Sequence, residues 1–235
     1  IILSLKNKFF NGMVVKKEQL LSYVEEDDVI LIGPGMVRGE ISKDIKSRTL
    51  KFDEIINIKD EALYTYELTK YLLINFPHKK FVIDAGALQV MEKEWLLKMK
   101  TPAIITPHQI EFRMVFGHDI SDQTDAEKSA IVLNEAKNYN CVVLLKSIID
   151  FISDGSTGYQ VAGGNAGLTK GGTGDILSGL TASFYSKNDS ILSCLAASIT
   201  LKRVGEELFK LKGYWYNIDD VMEAVPFTIR ELVLK

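Results

Sequence analysis

The residues with the most chemical content in this chain are Gly171-Gly172-Thr173-Gly174-Asp175, which run directly into Ile176-Leu177-Ser178-Gly179-Leu180-Thr181-Ala182, a stretch that reads as a helix despite Gly179. Glycines let backbone N–H groups converge on an anion without side chains intervening, and a helix amino terminus adds partial positive charge. A phosphate would then be held by main chain. Asp175, with an ordinary carboxyl pKa near ~3.9, is ionised at neutral pH and suits the removal of a proton from a hydroxyl that attacks a phosphoryl group. The plainer explanation is that Asp175 caps the helix and the glycines only turn the chain. No G-x-x-x-x-G-K-[ST] occurs, and Leu177 stands where a dinucleotide fingerprint wants glycine. A Walker-type ATPase and a Rossmann dehydrogenase both lose ground.

Four further groups share one property, that each follows a short apolar run: Gly33-Pro34-Gly35 after Asp28–Ile32, Asp84-Ala85-Gly86 after Lys80–Asp84, Thr106-Pro107-His108 after Ala103–Thr106, and Lys146 closing Cys141–Lys146. The runs read as buried strands, the first two ending in tight loops. Ile148–Ile152 and Tyr159–Ala162 flank Asp154-Gly155-Ser156-Thr157-Gly158 as a hairpin. Helical spacing occupies Glu61–Phe76, Pro107–Phe116 and Asp125–Asn138, and the chain from Gly174 to Leu211 and from Asp219 to Leu234 is mainly helical. Alternating strand and helix predicts an α/β fold with a mostly parallel sheet covered on both faces, and ligands bound beyond the carboxyl ends of the strands. The four groups should therefore open onto one rim beside the glycine-rich segment.

With 235 residues and 46% hydrophobic composition, the chain can bury a full core, and its length fits one domain over 1–235. The net charge of -3 offers no general attraction to nucleic acid. Cys141 and Cys194 lie far apart in apolar runs, as buried free thiols of a reducing, cytoplasmic compartment would. No apolar run reaches the length of a membrane span; Ile191–Leu201, the longest candidate, contains Ser193, Ser198 and Thr200 and reads as a buried helix. Ile1-Ile2-Leu3-Ser4-Leu5 opens as a strand-like run without an initiator methionine, which suggests that residues are missing before Ile1.

The segment Asn165–Asp175, taken with Ile32-Gly33-Pro34-Gly35, Asp84-Ala85-Gly86-Ala87-Leu88 and Thr106-Pro107-His108-Gln109-Ile110-Glu111-Phe112, resembles the ADP-dependent NAD(P)H-hydrate dehydratase family of the ribokinase-like superfamily. The resemblance implies a ribokinase-like three-layer sandwich. It also implies an activity, repair of NADH or NADPH hydrated on the nicotinamide ring: a nucleotide, ADP or ATP, phosphorylates the ring hydroxyl, Mg²⁺ assists, and phosphate is then eliminated. Hydroxide leaves poorly and phosphate leaves well, so the sequence of steps is chemically reasonable. By position, Asp175 would be the catalytic base and touch substrate, with Gly35 and His108 as further substrate contacts. Lys146, Ser147, Ile148, Ile149 and Asp150 would bind nucleotide, as would Asn165, Ala166, Gly167, Leu168, Thr169, Lys170, Gly171, Gly172, Thr173 and Gly174. No protein-held metal site is implied, and homo-oligomers are.

Each assignment has a plainer rival. His108 reads equally well as a helix-terminal cap, Lys146 as a solvated lysine at a strand end, and Asp84 as a loop-starting residue with at most a supporting role. Glu111 on a first helical turn favours the dipole whatever the function. Lys170 has no foreseeable direction between glycines, and Tyr214-Trp215-Tyr216 reads as an exposed aromatic cluster for packing or subunit contact. The chain departs from the family at Met36-Val37-Arg38-Gly39, where glycine commonly follows the turn sooner, and at Ser147, where the family usually has glycine. Two other readings remain open: a small-molecule kinase of the same superfamily, of the hydroxyethylthiazole kinase kind, and a non-catalytic nucleotide-binding protein.

Overall fold

A computed structural model describes residues 12–42 and 48–234. The strand expected at Ile1–Leu5 lies outside the described residues. Helix α1 (Leu20–Glu26) leads into strand β1 (Val29–Ile32), and α2 (Phe52–Ile55) and α3 (Glu61–Asn75) cross to β2 (Lys80–Ile83). Helix α4 (Ala85–Val90) precedes β3 (Ile104–Ile105), and α5 (Gln109–Phe116) and α6 (Asp125–Asn138) precede β4 (Val142–Leu145). A hairpin of β5 (Asp150–Ser153) and β6 (Gly158–Val161) follows, then α7 (Thr173–Tyr185), α8 (Ser190–Lys212) and α9 (Ile218–Val233).

Among the described residues the six strands form one sheet in sequence order, parallel from β1 to β4 and antiparallel from β4 through β6. Right-handed crossovers that always step to the next neighbour all fall on one face of the sheet. Side-chain alternation shows the result. Phe81, Ile83, Ile105, Val143 and Leu145 pack with α3, α5 and α6 residues such as Leu72, Phe112 and Val132. Val82, Ile104, Val142 and Leu144 point the other way, onto Leu177 of α7 and Cys194, Ala197 and Leu201 of α8. Both faces are thus covered, as strands that read as continuous apolar runs require. This is the three-layer α/β sandwich with a mostly parallel sheet that the resemblance implies.

The core strands and α6 fall where the apolar periodicity puts them. Helix α6 starts on a capping box, in which Thr124 and Glu127 satisfy each other's backbone N–H groups. One expectation fails: Asp84-Ala85-Gly86 is the start of α4 rather than a tight loop, with Ala85 in the left-handed region at φ 45°. Among the described residues no helix is long and apolar enough to cross a membrane. Ile191–Leu201 is indeed buried inside α8.

Candidate active site

The rim is built by backbone steps past the strand ends. Asp84 N donates to Ile32 O at 3.0 Å, Thr106 N to Ile83 O at 3.1 Å, and Lys146 N to Pro107 O at 2.8 Å. Gly33, at φ 120°, lies so close to Asp84 that a Cβ there would collide with the Asp84 carbonyl, and one on Gly86 would collide with the Met36 carbonyl. Glycine is needed at both positions to bring the first two loops together. All four expected groups reach this rim. Gly35, exposed at φ 73° with open space around it, presents bare backbone there.

Lys146 occupies the centre. Its Nζ is 2.7 Å from Asp84 Oδ1 and 3.8 Å from Glu111 Oε2, and both carboxylates are almost fully buried. Neither the solvated lysine nor the loop-starting aspartate is what forms: the two side chains are a buried ion pair spanning 62 residues of sequence. Removing one partner of such a pair costs roughly 3–5 kcal/mol, because the other charge is stranded. A Cβ on Gly174 would stand 3.4 Å from the same Nζ, so the ammonium also borders the first turn of α7.

His108 does cap α5. Its Nδ1 accepts from Glu111 N at 3.2 Å, and Glu111 Oε2 accepts from His108 N at 2.9 Å. An accepting Nδ1 leaves the proton of a neutral ring on Nε2, on a side chain that is about half exposed, 47%. Glu111 is more than a dipole partner. Its Oε1 accepts from Gln89 Nε2 at 2.8 Å, and Gln89 Oε1 accepts from Arg38 Nη1 at 2.9 Å. Arg38, Gln89 and Glu111 thus extend a polar chain from Lys146 across the rim. Sequence reasoning missed Gln89 and Arg38; an unexplained arginine just after the Gly-Pro-Gly turn was the available signal.

The glycine-rich segment forms the expected cradle. Gly172, at φ 91°, is the N-cap of α7 with no side-chain cap. Asp175 therefore does not cap the helix. Among the described residues the amides of Gly171, Gly172, Gly174 and Asp175 have no hydrogen-bond acceptor, and the buried Thr173 hydroxyl has no partner either. Unpaired donors gathered on a helix amino terminus can hold an anion. The Asp175 side chain is exposed on this first turn, and no described residue bonds its carboxylate. At 100° per residue it points away from Thr173, which lines a cavity of about 820 Å³. Asp175 lies beside that cavity rather than in it, so the cradle has two sides.

The cavity is walled by Lys146–Ile148, by residues 163–166 and 168–171 and by Leu201 and Lys202 of α8, with His108 at its edge. Asn165 organises the second wall. Its Oδ1 accepts from Gly167 N and from the Tyr216 hydroxyl, each at 2.8 Å, and its Nδ2 donates to Gly205 O at 2.6 Å. Of the other residues expected at the nucleotide, Ala166, Leu168, Thr169, Lys170, Gly171, Thr173 and Gly174 line this space.

Several expected nucleotide contacts are turned elsewhere. Lys170 borders the cavity, but its Nζ is directed to Gly167 O at 2.6 Å and over the Tyr216 ring at 4.2 Å, where it braces the loop. Gly167 and Gly172 pack on Tyr216 and Ile218 rather than line the cavity. Ile149 packs against the sheet core. Asp150 lines the cavity, but its oxygens accept from Ser147 N at 2.9 Å and Ser198 Oγ at 2.7 Å. Of the aromatic cluster, Trp215 is exposed as expected, whereas Tyr216 is buried.

An anion cradle with a free carboxylate on one side, a cavity on the other and a three-layer sheet beneath defines a ribokinase-like protein. The sequence model of the family described as NAD(P)H-hydrate dehydratase matches residues 3–226, and the chain belongs to that family. A bifunctional NAD(P)H-hydrate repair enzyme of Archaeoglobus fulgidus is 33% identical over 212 residues, which are 90% of this chain and 37% of that protein. An ADP-dependent (S)-NAD(P)H-hydrate dehydratase of Nitrosopumilus maritimus is 33% identical over 174 residues, 74% of this chain and 58% of that one. This chain therefore spans less than two thirds of either relative. The crystal structure of a ribokinase-like superfamily protein from Enterococcus faecalis superposes with a TM-score of 0.70 at 25% identity, covering 93% of this chain and 69% of the other.

Proposed function

We propose that this chain, acting as one domain, repairs hydrated NADH or NADPH at the expense of ADP or ATP. The observation that carries the reading is the set of unpaired amides at Gly171, Gly172, Gly174 and Asp175, with an unengaged carboxylate on one side and the Lys146 ammonium on the other. The nucleotide lies in the 820 Å³ cavity with its terminal phosphate on the amides. The hydrated ring approaches from the Gly35 and His108 side. Asp175 takes the proton of the ring hydroxyl as its oxygen bonds to the terminal phosphorus, and the bond to the nucleotide's bridging oxygen breaks; with ADP the leaving group is AMP. Lys146 balances charge on the phosphoryl oxygens. The ring C–O bond then breaks, the ring loses a proton as its double bond re-forms, and phosphate departs.

Magnesium fits as an ion brought in on the nucleotide phosphates. Asp84 and Glu111, the carboxylates beside Lys146, are already engaged, and no group of three or more acidic, histidine or cysteine side chains among the described residues would cage a metal. When bound it would neutralise charge on the phosphates. A cytoplasmic location and homo-oligomeric assembly belong to the same reading; the buried thiols of Cys141 and Cys194 support the first, and family resemblance supports the second.

The test is to incubate hydrated NADH with the purified protein, Mg²⁺ and either ADP or ATP, and to follow the absorbance of the reduced nicotinamide. Its return is the expected result. A plain kinase would consume nucleotide and leave a phosphorylated product without that return, and a binding module would do neither.

A further inference from the structure

We propose that Lys202, acting with Asp150 and Ser198, is the positioning device of the cavity, a role that rests on reading the cavity as the nucleotide site. Ser198, Lys202, Gly205 and Glu206 fall on one face of α8. This stripe holds both walls. On the first wall, Lys202 Nζ donates to Ile148 O at 2.9 Å and Ser147 O at 3.4 Å and stands 3.4 Å from Asp150 Oδ1. Two of its hydrogen bonds thus go to loop carbonyls and its charge faces Asp150, which ties Lys202 to the first wall. Asp150 completes the clasp through Ser147 N and Ser198 Oγ. On the second wall, Gly164 N donates to Glu206 Oε1 at 3.1 Å, Asn165 Nδ2 binds Gly205 O, and the Leu168 side chain rests on the bare α-carbon of Gly205.

A buried lysine paired with a buried aspartate is a poor way to gain stability, since an apolar pair of similar size often does as well or better. Burial pushes the Asp150 carboxyl above its ordinary range, and the Lys202 charge only opposes that. The pair does supply direction. In a trans peptide the N–H points opposite to the C=O. Drawing the Ser147 and Ile148 carbonyls onto Lys202 turns the N–H groups of Ile148 and Ile149 away from the ammonium, and neither amide has an acceptor among the described residues. The geometry thus leaves the main-chain donor of Ile148, which borders the cavity, open to acceptor atoms of a nucleotide, in an orientation set by the Lys202 clasp.

The test is calorimetric titration of the full chain with ADP and Mg²⁺, alongside circular dichroism and turnover. In Lys202→Met the ADP Kd should rise about tenfold, and in Ser198→Ala about two- to threefold, the loss falling on Kd rather than on turnover at saturating ADP. Lys202→Arg, which can reach the same carbonyls, should recover most of the affinity. A folded Lys202→Met with a lower melting temperature and an unchanged Kd overturns the proposal. Should that variant fail to fold, an unchanged Kd in Ser198→Ala overturns it equally. Wild-type protein that binds neither ADP nor ATP would instead sink the reading of the cavity, and the proposal with it.

Discussion

The two ends of the sheet each carry a cavity and a collection of charges, yet only one end resembles a site. At the amino-terminal ends of β1 and β2 a space of about 680 Å³ is lined by Glu25, Asp27, Asp28, His78, Lys79 and Lys80. Its cations are engaged: Lys79 with the Glu25 and Asp27 carbonyls, Lys80 with that of Tyr185, while Lys187 holds Asp28 across an exposed bridge of 3.1 Å. At the carboxyl ends the charges are buried in pairs, and what is left open is a set of unmet backbone donors and one free carboxylate. The difference teaches that cavity size and charge count do not make a binding site. Unmet hydrogen-bonding capacity, held in place by buried pairs, does.

The comparison breaks first at Asp175. Asp175→Asn should lower turnover about 10³-fold while ADP binding persists, as measured by steady-state kinetics and calorimetry. Retained turnover would mean that the open carboxylate is idle and that the two ends differ less than argued. Next comes the rim. Gly33→Ala, which sets a methyl group against the Asp84 carbonyl at a positive φ, should cost about 2–4 kcal/mol in urea unfolding and loosen the Asp84–Lys146 pair.

The smallest effect belongs to the other end. The hydrogen bond from Lys187 holds the exposed Asp28 carboxyl below its ordinary value. A carboxylate lowered in the folded state adds stability that is present above its unfolded pKa and lost as pH falls through the folded one. Asp28→Asn should therefore leave turnover unchanged and slightly flatten the loss of melting temperature on acidification below about pH 4, an effect that salt would mask. A change in turnover would make the amino-terminal end part of the site after all.

Much of this was legible in the residues, and the exceptions have a common cause. Strands β1 to β4 and helix α6 follow from apolar periodicity, which depends only on neighbours along the chain. The cradle was legible because glycines and an aspartate in series act through their own backbone. Lys146, Asp84 and Glu111 were weighed singly, and each alone favours the plain explanation; their pairing spans 62 residues and exists only once β2, α5 and β4 lie side by side. Tyr216 was misjudged and the direction of Lys170 was unforeseeable for the same reason, as each is explained by the other. The start of α4 at Ala85 was hidden by a left-handed residue that is not glycine.

The strand order carries a consequence for how the molecule comes into being. Because each described strand after β1 pairs with the one synthesised just before it, a nascent chain leaving the ribosome can add these strands one at a time, without waiting for distant partners. The face carrying Val82, Ile104, Val142 and Leu144 nevertheless stays bare until α7 and α8 emerge. During that interval the half-made protein exposes an adhesive surface that chaperones would need to shield. The first of these helices also carries the glycine-rich turn at its start, so the candidate site is completed as the surface becomes safe.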